Sequence, residues 1–343
     1  MVALREGDLL RAARIREKLG IKHGQSLEST ERFRDKCKMK TALKEKGIKV
    51  PCFKEVESAM DIISFVEEKG YPVVVKPKKG YSSISTSVLK NEEELIELLS
   101  KGLANEVIDP VLGLEVEEFI HGKMFHIDGI VHNKQVCINW PSEYLDVVVN
   151  FKENPTISGC SLKESEPLTK RLQKYVEEVL LALEGPSTYP FHAEAWHTPA
   201  DEFVLCEVAC RAGGGEIAEE IFQLFQCTLE KASLQWQTET PLSNKELDSH
   251  YSHHRPKVDY RVAWIYIYPK VGNRLLHIPS KCGEPWNLVY RPLETPGTCF
   301  NNRKSCADAV SSFVLKVLDH QDPRKVCQEA FDWFENNTKW EKL

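Results

Sequence analysis

Three strand-like segments follow one another closely in the second quarter of the chain, and they constrain the fold more than any other feature. Apolar and β-branched residues dominate 116–120, 125–131 and 135–140, and His132-Asn133-Lys134 forms a tight turn between the last two. Connections this short can join only antiparallel strands, because a parallel pair needs a crossover of a dozen or more residues. The chain is therefore predicted to be α+β with mostly antiparallel strands, not the repeated βαβ of a doubly wound sheet.

Periodicity predicts the other elements, which flank these strands on both sides. Helices are predicted at 8–19, 29–46, 91–99, 168–183, 216–233 and 324–337. Further strands are predicted at 71–76, 84–89, 191–196, 203–208 and 260–268. The polar segment 241–255 is predicted to be a loop.

Composition excludes several classes of function. The net charge is −6 over 343 residues and the two signs are interleaved, so no basic surface for nucleic acid or anionic membranes is expected. No apolar run approaches the roughly 18–20 residues that span a bilayer, and the charged N-terminus does not resemble a signal peptide. The eleven scattered cysteines include no Cys-x-x-Cys pair, which is typical of reduced thiols and predicts a cytoplasmic location.

Two lysines and a short loop indicate a phosphate site. Lys76 ends an apolar strand and precedes the loop 78–83, which contains lysine, glycine and serine. Cations beside backbone N–H groups and hydroxyls suit phosphate oxygens, because charge-assisted hydrogen bonds are the strong ones. Lys36 is a candidate second cation on the preceding helix. The residues alone leave open that Lys36 is a solvated helix residue and that Lys76 merely ends a strand.

The acidic strand at 116–120 carries a weaker signal. Its backbone could pair with a planar base, while Phe119 and Ile120 could supply apolar contacts. The residues alone favour an ordinary amphipathic edge strand with solvated glutamates.

A third cluster is more informative. Glu194 and Glu207 fall near the ends of two adjacent predicted strands, so on a hairpin they could face each other and share Mg²⁺. Arg211 and the glycines at 213–215 follow, and a guanidinium can neutralise charge on a phosphorylated oxygen. The alternative is two exposed glutamates and a simple turn. His192 and His197, which flank Glu194, are more simply explained as solvated or core histidines.

Taken in order, these motifs resemble the ATP-grasp superfamily, and within it the bacterial L-amino-acid ligases and the animal carnosine synthases. The likeness covers about 8–233, and the remainder follows it loosely. The motifs are Arg34-Asp35-Lys36, Tyr71-Pro72-Val73-Val74-Val75-Lys76-Pro77, Glu117-Glu118-Phe119-Ile120-His121-Gly122, Phe191-His192-Ala193-Glu194 and Cys206-Glu207-Val208-Ala209-Cys210-Arg211-Ala212-Gly213-Gly214-Gly215.

The resemblance implies an ATP-grasp fold, in which two α+β subdomains clasp ATP, and it assigns roles by position. Lysines would hold the phosphates, the loop would close over them, and the hinge would meet adenine. The residues implied to bind ATP are Lys36, Lys76, Lys79, Gly80, Ser82, Ser83, Glu117, Glu118, Phe119 and Ile120. Glu194 and Glu207 would bind two Mg²⁺ or Mn²⁺ ions. Arg211, Gly214 and Gly215 would stabilise an acyl phosphate.

The resemblance also implies a division of the chain. Residues 1–50 would be linker helices and the remnant of an otherwise largely absent N-terminal domain, and 51–121 the small subdomain with the phosphate loop. Residues 122–240 would be the large subdomain with the metal site, and 241–343 strands and a helix packed on it. Three further departures from the family pattern are Ala209 in place of a metal-binding Asn, Met124 in place of a ribose-binding carboxylate, and a glycine-poor loop.

The implied function is an ATP-dependent carboxylate–amine ligase that forms a dipeptide-like amide through an acyl phosphate and releases ADP and phosphate. Its partners would be a small-molecule carboxylate and an amine, both amino acids, without nucleic acid or membrane; a homodimer is one open oligomeric state. The alternative is a catalytically impaired relative that binds nucleotide or a partner without turnover, as Ala209 and Met124 suggest.

Overall fold

The chain folds around two antiparallel sheets that meet at one cavity. A computed structural model describes residues 1–103, 113–146, 153–238 and 256–343. The helices are α1 Leu9–Leu19, α2 Leu27–Arg34, α3 Lys36–Glu45, α4 Ala59–Lys69, α5 Glu92–Ser100, α6 Pro167–Leu183, α7 Ile217–Phe225, α8 Leu229–Gln237 and α9 Pro323–Asn337, with a short 3₁₀ turn at Glu6–Asp8.

The strands fall into three sheets. They are β1 Phe53–Val56, β2 Val73–Pro77, β3 Ser87–Leu89, β4 Leu114–Glu118, β5 Lys123–His132, β6 Gln135–Tyr144, β7 Thr156–Ser161, β8 Tyr189–His197, β9 Phe203–Ala209, β10 Arg261–Ile267, β11 Asn273–His277, β12 Asn287–Pro292, β13 Cys299–Phe300, β14 Ser311–Val317 and β15 Lys339–Lys342. Every paired strand of the described residues is antiparallel, which confirms the α+β prediction.

The small sheet has the order β1-β4-β2-β3 and is covered by α4 and α5. Its buried side chains include Ile62 and Phe65 of α4 and Val73 and Val75 of β2, which alternate along the strand as period-2 patterning requires. Because Val73 and Val75 point toward the helices, Val74 and Lys76 point to the opposite face of the sheet.

The large sheet has eight strands in the order β12-β14-β10-β7-β6-β5-β8-β9. Helix α6 packs on it through Leu172, Val176 and Leu183, all buried in the main core. A third, three-stranded sheet has the order β13-β11-β15. The β5, β8 and β9 end of the large sheet faces the small sheet, and the chemically distinctive side chains lie there.

Two predicted helices are interrupted. The helix predicted at 29–46 breaks at Asp35, whose backbone is extended and whose carboxylate caps α3 by accepting from the Cys37 and Lys38 amides. The helix predicted at 216–233 breaks at Gln226, which has a φ of +58° and ends α7 before α8 begins. In both cases one residue with non-helical backbone changes the chain direction, which hydrophobic periodicity does not report.

Two strand predictions were wrong. The predicted return strand at 84–89 shrinks to β3, because Ser82, Ser83 and Ser85 have positive φ and keep the chain in turns. The acidic strand is not an edge strand, since β4 lies between β1 and β2. The loop predicted at 241–255 lies outside the described residues.

All eleven cysteines are free thiols in the structure. Within the four described segments, no helix is both long enough and apolar enough to cross a membrane.

Candidate active site

A cavity of about 470 Å³ lies where the two sheets meet. Its walls come from β2, β4 and the loop after β2 on one side, and from β5, β6, β8 and β9 on the other. Among the predicted site residues, those that line it are Lys36, Lys76, Gly80, Ser82, Ser83, Glu117, Glu118, Phe119, Ile120, Glu194 and Glu207. Met124, where the family pattern has a ribose-binding carboxylate, lines the same cavity.

A buried four-charge cluster borders this cavity, and two of its members, Lys76 and Glu117, line it. The Lys76 ammonium lies 2.5 Å from Glu117, and the Lys40 ammonium lies 2.8 Å from Glu115 and also contacts Glu117. Burial alone would lower the pKa of Lys76, but Glu117 and Glu115 hold it well above its usual value. Lys76 is thus fixed as a cation at the cavity wall.

Glu117 is therefore not the solvated glutamate that the residues alone favoured. Its side chain is 2% exposed and its carboxylate is occupied by the two lysines. Its predicted contact with the nucleotide stays a prediction, and the role visible in the structure is to hold Lys76.

Glu194 and Glu207 face each other across the β8–β9 ladder, where they are direct partners in register. Glu207 lies 2.7 Å from the Lys36 ammonium, and Glu194 accepts a 2.7 Å hydrogen bond from the Tyr144 hydroxyl. The hairpin geometry predicted from their spacing is confirmed. Two carboxylates, Glu194 and Glu207, and two lysines, Lys36 and Lys76, thus line the same cavity.

The cations keep Glu207 charged. Burial would raise the pKa of Glu207, but Lys36 and Lys76 lower it to about 2. An ionised carboxylate is the form that binds a divalent cation.

The loop after β2 lies against the helix that carries Lys36. The Gly80 carbonyl accepts a 3.2 Å hydrogen bond from Lys36 and a 3.3 Å hydrogen bond from Arg34. Lys79 instead points toward Asp35, at 3.7 Å. Ser82 and Ser83 line the cavity in left-handed backbone conformations. The loop is therefore placed beside the lysines, as predicted for a phosphate lid, although the lid role itself is untested.

The hinge predicted to meet adenine, residues 118–120, lines the same cavity. The Glu118 amide donates to the Cys52 carbonyl, and the Glu118 carboxylate accepts from the Cys52 amide. Phe119 packs edge-on against His121, with ring centroids 4.9 Å apart. The hinge therefore lines the cavity with an aromatic side chain, and its contact with a base stays a prediction.

Arg211 lies in a neighbouring cavity of about 630 Å³, together with Gly214. Arg211 is bound to Glu6 of the 3₁₀ turn and donates to the Ala212 carbonyl at 2.7 Å. Tyr81 and Ser82 line both cavities, so the phosphate loop separates them. The structure thus brings Lys76, Glu194 and Glu207 together in one cavity and places Arg211 across the loop from them.

The remaining predicted glycine stands apart. Gly215 has a φ of +66° and lines neither of these two cavities; its position for a Cβ lies 3.1 Å from the Tyr266 hydroxyl. Gly213 is tightly packed instead, because a Cβ there would come within 2.7 Å of the Asp128 carboxylate.

A buried histidine pair behind Glu194 was not predicted as functional. The Asp128 carboxylate lies 2.8 Å from a ring nitrogen of His126 and 2.9 Å from a ring nitrogen of His192. The other ring nitrogen of His192 lies 3.5 Å from the Glu194 carboxylate. Burial alone would lower the pKa of His192, but Asp128 and Glu194 raise it to about 10. His192 also pairs across the ladder with Ala209. His126 and Asp128 are two residues apart on β5, and His192 and Glu194 are two residues apart on β8. Residues two apart on a strand point to the same face, so this spacing is the sequence signal for the cluster.

The acidic pair fits a divalent cation that is shared with phosphate. In the segments that the structure describes, no group of three or more His, Cys, Asp or Glu side chains forms a complete metal site. Mg²⁺ commonly takes only one or two protein carboxylates and completes its shell with phosphate oxygens and water. Glu194 and Glu207, opposite each other beside two lysines, match that donor set.

Comparison with known proteins confirms the fold. The family model for the ATP-grasp domain matches residues 33–189, a range that includes Lys36, the four-charge cluster and the start of β8. Solved structures of ATP-grasp enzymes superpose over nearly the whole chain. The chain therefore has the ATP-grasp fold, and the predicted resemblance is confirmed.

Three individual proteins show how similar this chain is to enzymes that are already described. An L-arginine-specific L-amino acid ligase from Bacillus subtilis is 28% identical over 68% of this chain and 56% of its own length. The chain thus spans little more than half of that curated relative. An L-amino acid ligase from Bacillus licheniformis superposes with a TM-score of 0.75 at 19% identity, covering 99% of this chain and 79% of the other. A carboxyaminoimidazole ribonucleotide synthase from Aspergillus clavatus, complexed with ATP, gives 0.68 at 13% identity, covering 96% and 79%.

Proposed function

We propose that this protein is an ATP-dependent carboxylate–amine ligase that joins two amino acids or closely similar molecules. The observation that carries the proposal is the pairing of Glu194 with Glu207 beside Lys36 in one cavity. The similarity to L-amino-acid ligases supports amino acids as the substrate class.

In the proposed reaction the substrate carboxylate oxygen attacks the γ-phosphorus of ATP, and the bond from that phosphorus to the β–γ bridging oxygen breaks. The amine nitrogen then attacks the acyl carbon, the C–O bond to phosphate breaks, and the amine loses a proton. The products are an amide, ADP and phosphate. Bound Mg²⁺ would withdraw charge from the phosphate oxygens, as divalent cations do in other phosphoryl transfers.

The residues of this chain divide the work by position. Lys36 and Lys76 would bind phosphate oxygens, since both ammonium groups line the cavity close to Glu207 or Glu117. Glu194 and Glu207 would hold Mg²⁺. The hinge at 118–120 would bind adenine in the same cavity.

Arg211 would act from the neighbouring cavity, across the loop. A substrate carboxylate bound there would meet a guanidinium and the Gly214 backbone, while Tyr81 and Ser82 form the boundary with the nucleotide cavity. We propose that the acyl phosphate forms at this boundary, where oriented donors contribute most because they need not reorganise. We also propose that the subdomains of the chain begin at residues 51, 122 and 241. The protein is further proposed to be cytoplasmic and to form a homodimer.

The test is ADP release by the purified protein with ATP, Mg²⁺ and pairs of amino acids. Release is expected only when a carboxylate and an amine substrate are both present, together with an amide product detected by mass. Glu207→Gln should reduce this release at least roughly tenfold, the lower end of the effect of disturbing a metal site. Glu202→Gln is the matched control, because Glu202 is an exposed carboxylate next to β9 that pairs with Lys49. Equal ADP release by wild type and Glu207→Gln would refute the proposal.

A second candidate function is nucleotide binding without turnover. It is favoured by Ala209, which is buried opposite His192 and offers no ligand atom where the family pattern has an Asn. Saturable ATP binding with no substrate-dependent ADP release over a broad amino-acid panel would support it.

A further inference from the structure

Glu6 is a buried carboxylate that the proposed reaction does not use. It lies in the 3₁₀ turn Glu6–Asp8, is 8% exposed, and is contacted by two guanidinium groups, those of Arg34 at 2.7 Å and Arg211. Burial would raise the pKa of Glu6, but the two arginines lower it below its usual value. A charged carboxylate therefore joins α2 to the segment after β9.

Arg34 extends this connection to the phosphate loop. Its guanidinium donates to the Lys79 carbonyl at 2.5 Å and to the Gly80 carbonyl at 3.3 Å. Lys36 donates to the same Gly80 carbonyl and lies 2.7 Å from Glu207. An unbroken series of polar contacts thus runs from Arg211 through Glu6 and Arg34 to the loop, and on to the acidic pair.

The 3₁₀ turn also lies directly beside the loop, without Arg34 between them. A Cβ placed on Gly7 would lie 3.4 Å from the Tyr81 hydroxyl, so the turn and the loop are in near contact. Tyr81 and Ser82 also form the boundary between the two cavities. The position of the turn therefore influences the boundary at which the reaction is proposed to occur.

The N-terminal segment has a second anchor besides Glu6. The Gln237 side chain bonds both the amide and the carbonyl of Ala3 at 2.9 Å. Arg16 adds a 2.6 Å hydrogen bond to the same Gln237. This separate anchor means that loss of the Glu6 charge should change local geometry rather than release the segment.

We propose that Glu6 is a positioning residue that links the orientation of Arg211 to the placement of the phosphate loop. It holds Arg211 in the second cavity and, through Arg34, holds the Lys79 and Gly80 carbonyls. Closure of the loop over phosphate and presentation of Arg211 then occur together. The catalytic part of this inference rests on the proposed function, whereas the mechanical link between turn and loop does not.

The test compares Glu6→Gln, Glu6→Asp and Glu28→Gln. Gln keeps the size of the side chain but removes its charge, and Asp keeps the charge. Glu28→Gln is the matched control, because Glu28 faces Arg32 on α2 at 3.5 Å but is solvent-exposed. Hydrogen–deuterium exchange at 79–86 and the kcat and KM for ATP are measured for all three variants and wild type.

In Glu6→Gln, exchange at 79–86 should accelerate severalfold while exchange in the core strands stays at the wild-type rate. The kcat should fall roughly tenfold or more, as when an oriented donor at a reacting group is lost, with the KM for ATP within about threefold. Glu6→Asp should recover part of both effects, and Glu28→Gln should match wild type.

Three results would overturn the inference: unchanged loop exchange in Glu6→Gln, faster exchange throughout the chain, or an equal effect of Glu28→Gln. A wild-type protein that releases no ADP would count against the proposed function only, because the exchange comparison still decides whether Glu6 holds the loop.

Discussion

Lys40 illustrates how much at this site depends on single buried charges. Its side chain is fully buried on α3, between Glu115 and Glu117 and 5.2 Å from the centre of the Phe53 ring. With Lys76 it balances the two glutamates, so the cluster contains two positive and two negative groups. Removing one partner of a buried ion pair is costly because an uncompensated charge is left behind.

Lys40→Met should therefore destabilise the protein by about 3–5 kcal/mol. The measurement is the free energy of unfolding from a denaturant titration. Lys38→Met is the control, since Lys38 lies on the same helix but forms an exposed pair with Glu31, and its loss should cost at most about 1 kcal/mol. Equal losses in the two variants would show that the buried cluster is not the reason.

Glu220 predicts a pH dependence of stability. It is fully buried, its carboxylate lies 3.7 Å from His126, and burial raises its pKa to about 7 despite opposing contributions from His126 and Ser142. A raised pKa means that the protonated form is favoured in the folded state. The corresponding stabilisation is complete below about pH 4.5 and is lost as the pH rises through 7.

The free energy of unfolding of the wild type should accordingly fall between pH 4.5 and 6.5, and Glu220→Gln should flatten this part of the profile. Carboxylates with a lowered pKa, such as Glu207, contribute a constant amount in this window because they lose their contribution only toward pH 2. Glu230→Gln, an exposed carboxylate on α8, should keep the wild-type profile. A wild-type slope retained in Glu220→Gln would contradict the assignment.

At the residue scale, spacing predicted the acidic pair but not the partners of each charge. The spacing of Glu194 and Glu207 predicted that they lie on the two strands of a hairpin. Their direct pairing also depends on a register shift between Glu194 and Ala195, without which Glu194 would lie opposite Cys206. Burial of Glu117 was missed because its local pattern is that of an ordinary amphipathic strand. One of its two neutralising lysines, Lys40, comes from α3, 77 positions earlier, and local sequence carries no information about such a contact.

At the scale of elements, Asp35 has two roles in one position. It ends α2, caps α3 through two amides, and lies 3.7 Å from the Lys79 ammonium. The break that it produces turns α3 so that Lys36 and Lys40, four residues apart, present their ammonium groups to the cavity and the buried cluster. The sequence predicted a continuous helix because Asp also occurs within helices, and only the cap geometry reveals the boundary.

Asp35→Ala should cost about 1–2 kcal/mol in the free energy of unfolding, because the α3 cap is lost, whereas Asp35→Asn should cost less since its amide oxygen can still cap. Ser26→Ala removes the single cap bond of α2 and serves as a comparison, with an expected loss of about 1 kcal/mol. Chemical denaturation measures all three. A larger loss for Asn than for Ala would show that capping is not the main contribution.

At the scale of the whole molecule, the order of the strands was less accessible than their existence. Adjacent strands such as β5 and β6 follow from a tight turn, but β10 pairs with β7 and β14, and β4 inserts between β1 and β2. These pairings join residues far apart in the chain. The resemblance to ATP-grasp proteins supplied the architecture that local patterns could not.

Mg-ATP should stabilise the folded protein as a whole. With nucleotide at about 100 times its Kd, the free energy of unfolding should rise by about 2.7 kcal/mol. A thermal-shift titration with and without Mg²⁺ tests this, and a Glu194→Gln/Glu207→Gln double variant should lose the Mg²⁺-dependent part. An ATP effect that is independent of Mg²⁺ in the wild type would favour the nucleotide-binding candidate over the ligase.

The loop that carries Tyr81 and Ser82 constrains which substitutions such a protein can accumulate during evolution. Because the same two residues border both cavities, a substitution that reshapes one cavity also alters the other. Under the proposed function, a new substrate preference is therefore more accessible through second-cavity residues outside the loop, such as Leu4 or Arg11, than through the loop itself. Attempts to change the proposed amide product should therefore vary those residues first and leave Tyr81 and Ser82 unchanged.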